Sequence, residues 1–84
     1  MIKVTLVSTP NCSHCLEVKK TLEKMKREYP ELTVEEISAL TEDGQKLIHK
    51  HGIMSSPGVL INNEFFSMGI VTEKQFKEKF DSLR

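Results

Sequence analysis

The chain has 84 residues, enough for one domain with a small core and a thin stability margin. Its 12 basic and 12 acidic side chains cancel, so no basic excess points to nucleic acid as a partner. Apolar residues make up 38% and charged residues 29%, an ordinary globular balance, and no apolar run is long enough to span a bilayer.

The first element predicted is a strand over Ile2–Val7, where Ile2, Val4 and Leu6 alternate onto one face. That alternation differs from the continuous apolar stretch of an export signal, so a cytoplasmic location is expected, as is a monomer. Ser8-Thr9-Pro10-Asn11 breaks the strand and supplies helix-starting side chains. From Cys12 onward, Cys15, Val18, Leu22, Met25 and Tyr29 recur at three- and four-residue steps. This spacing predicts an amphipathic helix, stopped near Tyr29-Pro30 because proline disfavours helix at the residue before it. A second strand is predicted over Leu32–Ile37. Thr41 then caps a helix that carries Leu47 and Ile48 and ends at Gly52. A short apolar strand, Gly58–Ile61, meets Asn62-Asn63, which suits a tight hairpin because Asn tolerates positive φ. Glu64–Met68 returns as the hairpin partner. Thr72-Glu73-Lys74-Gln75 reads as a capping box opening a last helix, with Phe76, Phe80 and Leu83 on one side. The order β-α-β-α-β-β-α makes an α/β domain spanning residues 1–84, with a mixed sheet between helices.

The chemistry centres on Cys12-Ser13-His14-Cys15, placed where the first strand ends and the first helix begins. Backbone N–H groups at a helix start are unpaired and carry the positive end of the dipole, so they favour a thiolate. Cys12 at the tip is therefore the expected nucleophile, with its pKa drawn below the free value of about 8.5. His14, with Ser13, is placed to tune that sulfur. Cys15 lies one turn in, on the face of Val18 and Leu22, as a resolving thiol should. A purely structural bridge is the duller reading, but so short a loop stabilises by only about 2 kcal/mol. Two cysteines also make no disulfide framework of the secreted kind.

Two other uses of the pair stand as alternatives. One is a zinc- or copper-binding module, with His14, His49 or His51 completing a tetrahedral set. His49-Lys50-His51 has a simpler explanation, since cationic side chains before Gly52 suit the C-terminal end of a helix. The other is a non-catalytic redox switch.

The chain resembles the thioredoxin superfamily and, within it, the small glutaredoxin-like thioredoxins. The resemblance rests on Thr9-Pro10-Asn11-Cys12-Ser13-His14-Cys15 after the first strand and on Gly52-Ile53-Met54-Ser55-Ser56-Pro57 before the hairpin. It implies the minimal thioredoxin fold, a four-stranded mixed sheet flanked by three helices. It also implies that Pro57 is the superfamily's cis-proline, facing the cysteines, with Ser56 offering its backbone to an extended substrate segment. Pro10, Asn11 and Gly69 complete the implied substrate surface. The chain departs from the family in having Asn11 before the first cysteine and Ser13-His14 between the pair. It also has Ile70-Val71-Thr72 after Gly69, where glutaredoxins carry a second glycine and an acid that serve glutathione. Thr72 and the last helix's N-terminus remain available to an anion. The expected activity is thiol–disulfide oxidoreduction on protein disulfides, without organic cofactor or metal. Recycling is expected from a thiol reductase or a low-molecular-weight thiol such as glutathione.

Overall fold

A computed structural model describes residues 2–83 and places β1 (Ile2–Ser8) inside the sheet, paired on both edges. The chain continues through α1 (Ser13–Met25), β2 (Leu32–Ser38), α2 (Glu42–His51), β3 (Gly58–Ile61), β4 (Glu64–Met68) and α3 (Glu73–Leu83). The strand order is β2-β1-β3-β4. β1 runs parallel to β2, from Ile2 opposite Leu32 to Ser8 opposite Ser38, and antiparallel to β3. Three helices and a four-stranded mixed sheet make this the α/β minimal thioredoxin fold.

Helices cover both faces of the sheet. On one, Ile2, Val4 and Leu6 pack with Val18, Leu22 and Met25 of α1 and with Phe76 and Phe80 of α3. On the other, Val7 packs with Ala39 and Ile53 beneath Leu47 and Ile48 of α2. Thr5 and Val7 are therefore buried as well as the alternating set, and only Lys3 and Ser8 of β1 are partly exposed. Interior strands between helix layers are expected to bury both sides.

Local chemistry sets most of the boundaries. Thr41 caps α2 by accepting the Gly44 N–H at 3.1 Å, and Gly52 closes it at φ 64°. A side chain at Gly44 would collide with the Ser38 carbonyl, so the glycine lets α2 close on the end of β2. Asn62 and Asn63 turn the β3–β4 hairpin at φ 52° and 68°. A register shift between Val59 and Leu60 interrupts that ladder. Thr72 and Gln75 bond reciprocally, the Gln75 backbone N–H to the Thr72 hydroxyl at 3.2 Å and the Thr72 backbone N–H to the Gln75 side-chain Oε1 at 2.9 Å.

Two expectations need correction. α1 ends at Met25 rather than near Tyr29, and turns carry residues 26–28. Tyr29 keeps its place in the core from outside the helix, edge-on to Phe80 at 5.3 Å, which is why its spacing mimicked helical period. Leu83 is 40% exposed and does not extend the buried stripe of Phe76 and Phe80.

The Tyr29 hydroxyl donates to Asp81 at 2.8 Å, tying the end of the α1–β2 connection to α3. Burial first, and then this hydrogen bond, hold its pKa above the ordinary 10.0. The folded chain keeps that proton more tightly than the unfolded chain. The resulting stabilisation is complete below pH 10.0 and is lost as pH rises through the raised value. Tyr29 is the only tyrosine and there is no tryptophan, so the tyrosinate absorbance band reads it alone. The folded chain should ionise above 10.0 and the guanidinium-unfolded chain near 10.0, with Asp81→Ala moving the folded midpoint part of the way down. A folded midpoint at or below the unfolded one would contradict this packing.

Candidate active site

β1 ends at Ser8, and the chain turns into α1 through Asn11 at φ 57°, a left-handed conformation that asparagine tolerates better than most residues. Cys12 follows as the helix N-cap in extended conformation, and its sulfur accepts the Cys15 backbone N–H at 3.1 Å. The side chain that caps the helix is thus the sulfur itself. No acidic residue lies in the first turn of α1, so no carboxylate there opposes negative charge on that sulfur. Cys12 and Cys15 form a disulfide, with their Cα atoms 5.3 Å apart. Their surroundings differ: Cys12 is half-buried, whereas Cys15 is 4% exposed and sits on the buried stripe of α1.

A groove of about 560 Å³ opens beside the disulfide. Cys12, Ser13, Cys15, Leu16 and Lys19 line it from α1 and its cap, and Glu36 lines it from β2. Pro10 and His14 are exposed and do not line it. A second loop is fixed next to this one. The Thr9 hydroxyl donates to the Ser56 hydroxyl at 3.3 Å, joining the approach to the cysteines to the segment before β3. The Ser56–Pro57 peptide bond is cis, and Pro57 is fully buried. Gly69, at φ 83°, donates its N–H to the Pro57 carbonyl at 2.9 Å. Met54 donates its N–H to the Met68 sulfur at 3.4 Å, so the end of β4 holds this loop at two points.

Thr9, Lys19 and Glu36 belong to the site but were not singled out from the sequence. Lys19 follows Cys15 by four residues on one helix, a spacing that could have flagged it. Glu36 arrives only through the pairing of β2 with β1, which places it opposite Leu6. The two side chains form an ion pair at 3.6 Å, open enough to solvent to contribute little stability. Among the described residues, no three His, Cys, Asp or Glu side chains converge as a metal site would require. His49 and His51 lie in the last turn of α2, where His51 stacks on Phe65 at 6.5 Å. No helix among the described residues is long and apolar enough to cross a membrane.

A disulfide spanning three residues, set where an interior strand gives way to a helix, defines an α/β domain of the thiol–disulfide redox class. A family model described as a thioredoxin domain matches residues 1–81, and the chain belongs to that family. It is 30% identical over 77 residues to a thioredoxin of Methanocaldococcus jannaschii, covering 92% of this chain and 89% of that protein. It is 25% identical over 84 residues to a probable thioredoxin of Archaeoglobus fulgidus, covering 100% of this chain and 91% of that one. Among solved structures, an uncharacterised thioredoxin-like protein from Clostridium perfringens superposes with a TM-score of 0.84 at 18% identity, over 99% of this chain and 71% of that one. Fasciola hepatica thioredoxin gives 0.72 at 14% identity, over 99% and 81%. At these identities the structural likeness speaks for the fold alone. Family membership and the bonded cysteine pair together support a thiol–disulfide redox role.

The unequal exposure of the two sulfurs has a direct chemical consequence. After reduction, iodoacetamide near neutral pH should modify Cys12 before Cys15, because attack needs an accessible thiolate. Mass-spectrometric mapping of brief labelling should find Cys12 modified roughly tenfold or more in excess, the effect of one unit of pKa before access is counted. Faster labelling of Cys15 would reverse the assignment of the two sulfurs.

Proposed function

We propose that the chain, acting as a single domain, is a thiol–disulfide oxidoreductase that reduces or exchanges protein disulfides. One observation carries this reading: a half-buried sulfur caps a helix, and its buried partner is already bonded to it. In the reduced chain, the Cys12 thiolate attacks one sulfur of a substrate disulfide. The substrate S–S bond breaks, one substrate thiolate leaves, and a mixed disulfide joins Cys12 to the other substrate sulfur. Cys15 loses its proton to solvent, and its thiolate attacks the Cys12 sulfur. The second substrate thiolate departs, and the Cys12–Cys15 disulfide remains. Two electrons have passed to the substrate, and an external thiol must return them. The archaeal relatives named thioredoxin support this assignment at the family level.

Further roles follow from position. The Cys15 N–H that bonds the Cys12 sulfur at 3.1 Å is the nearest stabiliser of the thiolate. His14, exposed beside the pair, and Ser13, which borders the groove, are the residues placed to tune the sulfur. Ser56 would pair its backbone with an extended substrate segment, with Pro57 and Gly69 holding that edge and Pro10 and Asn11 flanking it. The reductant is a thiol reductase or a low-molecular-weight thiol, glutathione included. A reducing cytoplasmic setting and a monomeric chain fit this use, because the pair must be returned to thiols after every turnover.

Replacement of each cysteine tests the reading. Cys12→Ser should abolish reduction of an insulin-type protein disulfide, a loss of at least about 1,000-fold, since the attacking thiolate is gone. Cys15→Ser should still attack but accumulate a mixed disulfide, visible as a reductant-sensitive mass increase. If Cys12→Ser retained activity, or Cys15→Ser captured no substrate, the mechanism would not stand.

A further inference from the structure

The disulfide groove is lined from both α1 and β2, and its volume of about 560 Å³ falls in the range of small-molecule sites. Lys19 and Glu36 are the charged side chains among the described residues that line it. Their ammonium and carboxylate stand 3.6 Å apart, and the two side chains are 47% and 41% exposed. An ion pair that open contributes little to folding, so a ligand can part it at small cost. The pairing also leaves binding capacity on both members. An ammonium has three donors and a carboxylate about four acceptor positions, and a contact of this length engages few of them. Lys19 lies one turn of α1 beyond Cys15, about 6 Å along the axis, and long helical side chains lean back toward the N-terminus. The cation therefore leans toward the sulfurs, and the pairing of β2 with β1 holds Glu36 beside it. The mechanism proposed above uses neither charge.

Resting on the proposed oxidoreductase activity, we infer that this groove takes small disulfides of free α-amino acids, with Lys19 on the carboxylate and Glu36 on the ammonium. In such a molecule both charged groups hang from the carbon next to the one that bears sulfur. A cation and an anion side by side in the groove of Cys12 complement that arrangement, and a lone charge would not. A cysteine within a protein chain carries neither group, so the pair distinguishes a free amino-acid disulfide from a protein disulfide. The Cys12 thiolate attacks one sulfur of the bound disulfide and the S–S bond breaks. One amino-acid thiolate leaves and takes a proton from solvent. The other half stays on Cys12 as a mixed disulfide, with its charges on Lys19 and Glu36. The Cys15 thiolate, its proton lost to solvent, displaces this half and closes the Cys12–Cys15 bond. Two electrons pass from the chain to the disulfide, and two amino-acid thiols are released.

The test mixes reduced chain with four disulfides that differ in charge: cystine, cystamine, dithiodipropionate and hydroxyethyl disulfide. Cystamine lacks the carboxylates of cystine, dithiodipropionate lacks its ammonium groups, and hydroxyethyl disulfide lacks both. Each rate constant is divided by that for hydroxyethyl disulfide in the same variant, which cancels changes in the thiols themselves. Cystine decides the matter, because its net charge is zero and a change in the overall field of the protein leaves it unmoved. Lys19→Gln and Glu36→Gln should each lower the cystine ratio roughly two- to fivefold, the scale of an exposed ion pair. Lys19→Gln should also lower the dithiodipropionate ratio and spare cystamine, and Glu36→Gln should do the reverse. Lys19→Arg keeps the cation and should keep the cystine ratio. A cystine ratio unchanged in either glutamine variant would overturn the inference. So would a fall without the crossed pattern, or a loss in Lys19→Arg as large as in Lys19→Gln. Wild type that reduced hydroxyethyl disulfide but not cystine would overturn it too, with the oxidoreductase reading intact. If wild type reduced neither hydroxyethyl disulfide nor an insulin-type protein disulfide, both readings would fall together.

Discussion

The hydrogen bond from the Cys15 N–H to the Cys12 sulfur, 3.1 Å long, connects how the chain folds to what it can do. A helix start leaves backbone N–H groups unpaired, and a side-chain oxygen usually meets one of them. Here a sulfur takes that place, so the capping group of α1 is also the atom proposed to react. Reduction to a thiolate would strengthen the contact, because a charged acceptor bonds an N–H more tightly than a neutral one. In the proposed mechanism, that N–H is the support the helix start itself offers the sulfur.

That contact depends on the surrounding frame. β1 is buried over Val4–Val7 and is held by strands on both edges, so its end is fixed in space. Asn11 turns the chain from that end into the helix. Cys15 then falls on the same buried stripe as Val18, Leu22 and Met25, which prevents α1 from rotating without exposing its apolar face. The loop opposite is tied at Thr9–Ser56, Gly69–Pro57 and Met54–Met68. These bonds join segments 47, 12 and 14 residues apart. Apolar burial supplies the rigidity, and the exposed ion pairs contribute little to it.

Features written in a few adjacent residues were legible in the sequence. Asn62-Asn63 could hardly form anything but a tight turn, and Thr72 with Gln75 announced a helix start three residues before the bond was needed. The Cys-x-x-Cys spacing at a strand–helix junction likewise pointed to its chemistry. Features that arise across the sheet were not legible. Tyr29 kept helical spacing with Met25 although the helix had ended, because the core selects for burial and not for helix. Val7 is buried against Ala39, Ile53 and the α2 residues Leu47 and Ile48, partners that lie far from it in sequence. Glu36 reaches the disulfide groove only through β2 pairing with β1, which no local pattern could reveal.

The central claim is that the helix start lowers the pKa of Cys12, and an ultraviolet titration of thiolate absorbance tests it most directly. In a Cys15→Ser chain, Cys12 is the only thiol, and Tyr29 ionises too high to interfere. Cys12 should titrate clearly below the free-cysteine value of about 8.5. A midpoint at or above about 8.5 would contradict the account, because the capped sulfur would then gain nothing from its place at the helix tip.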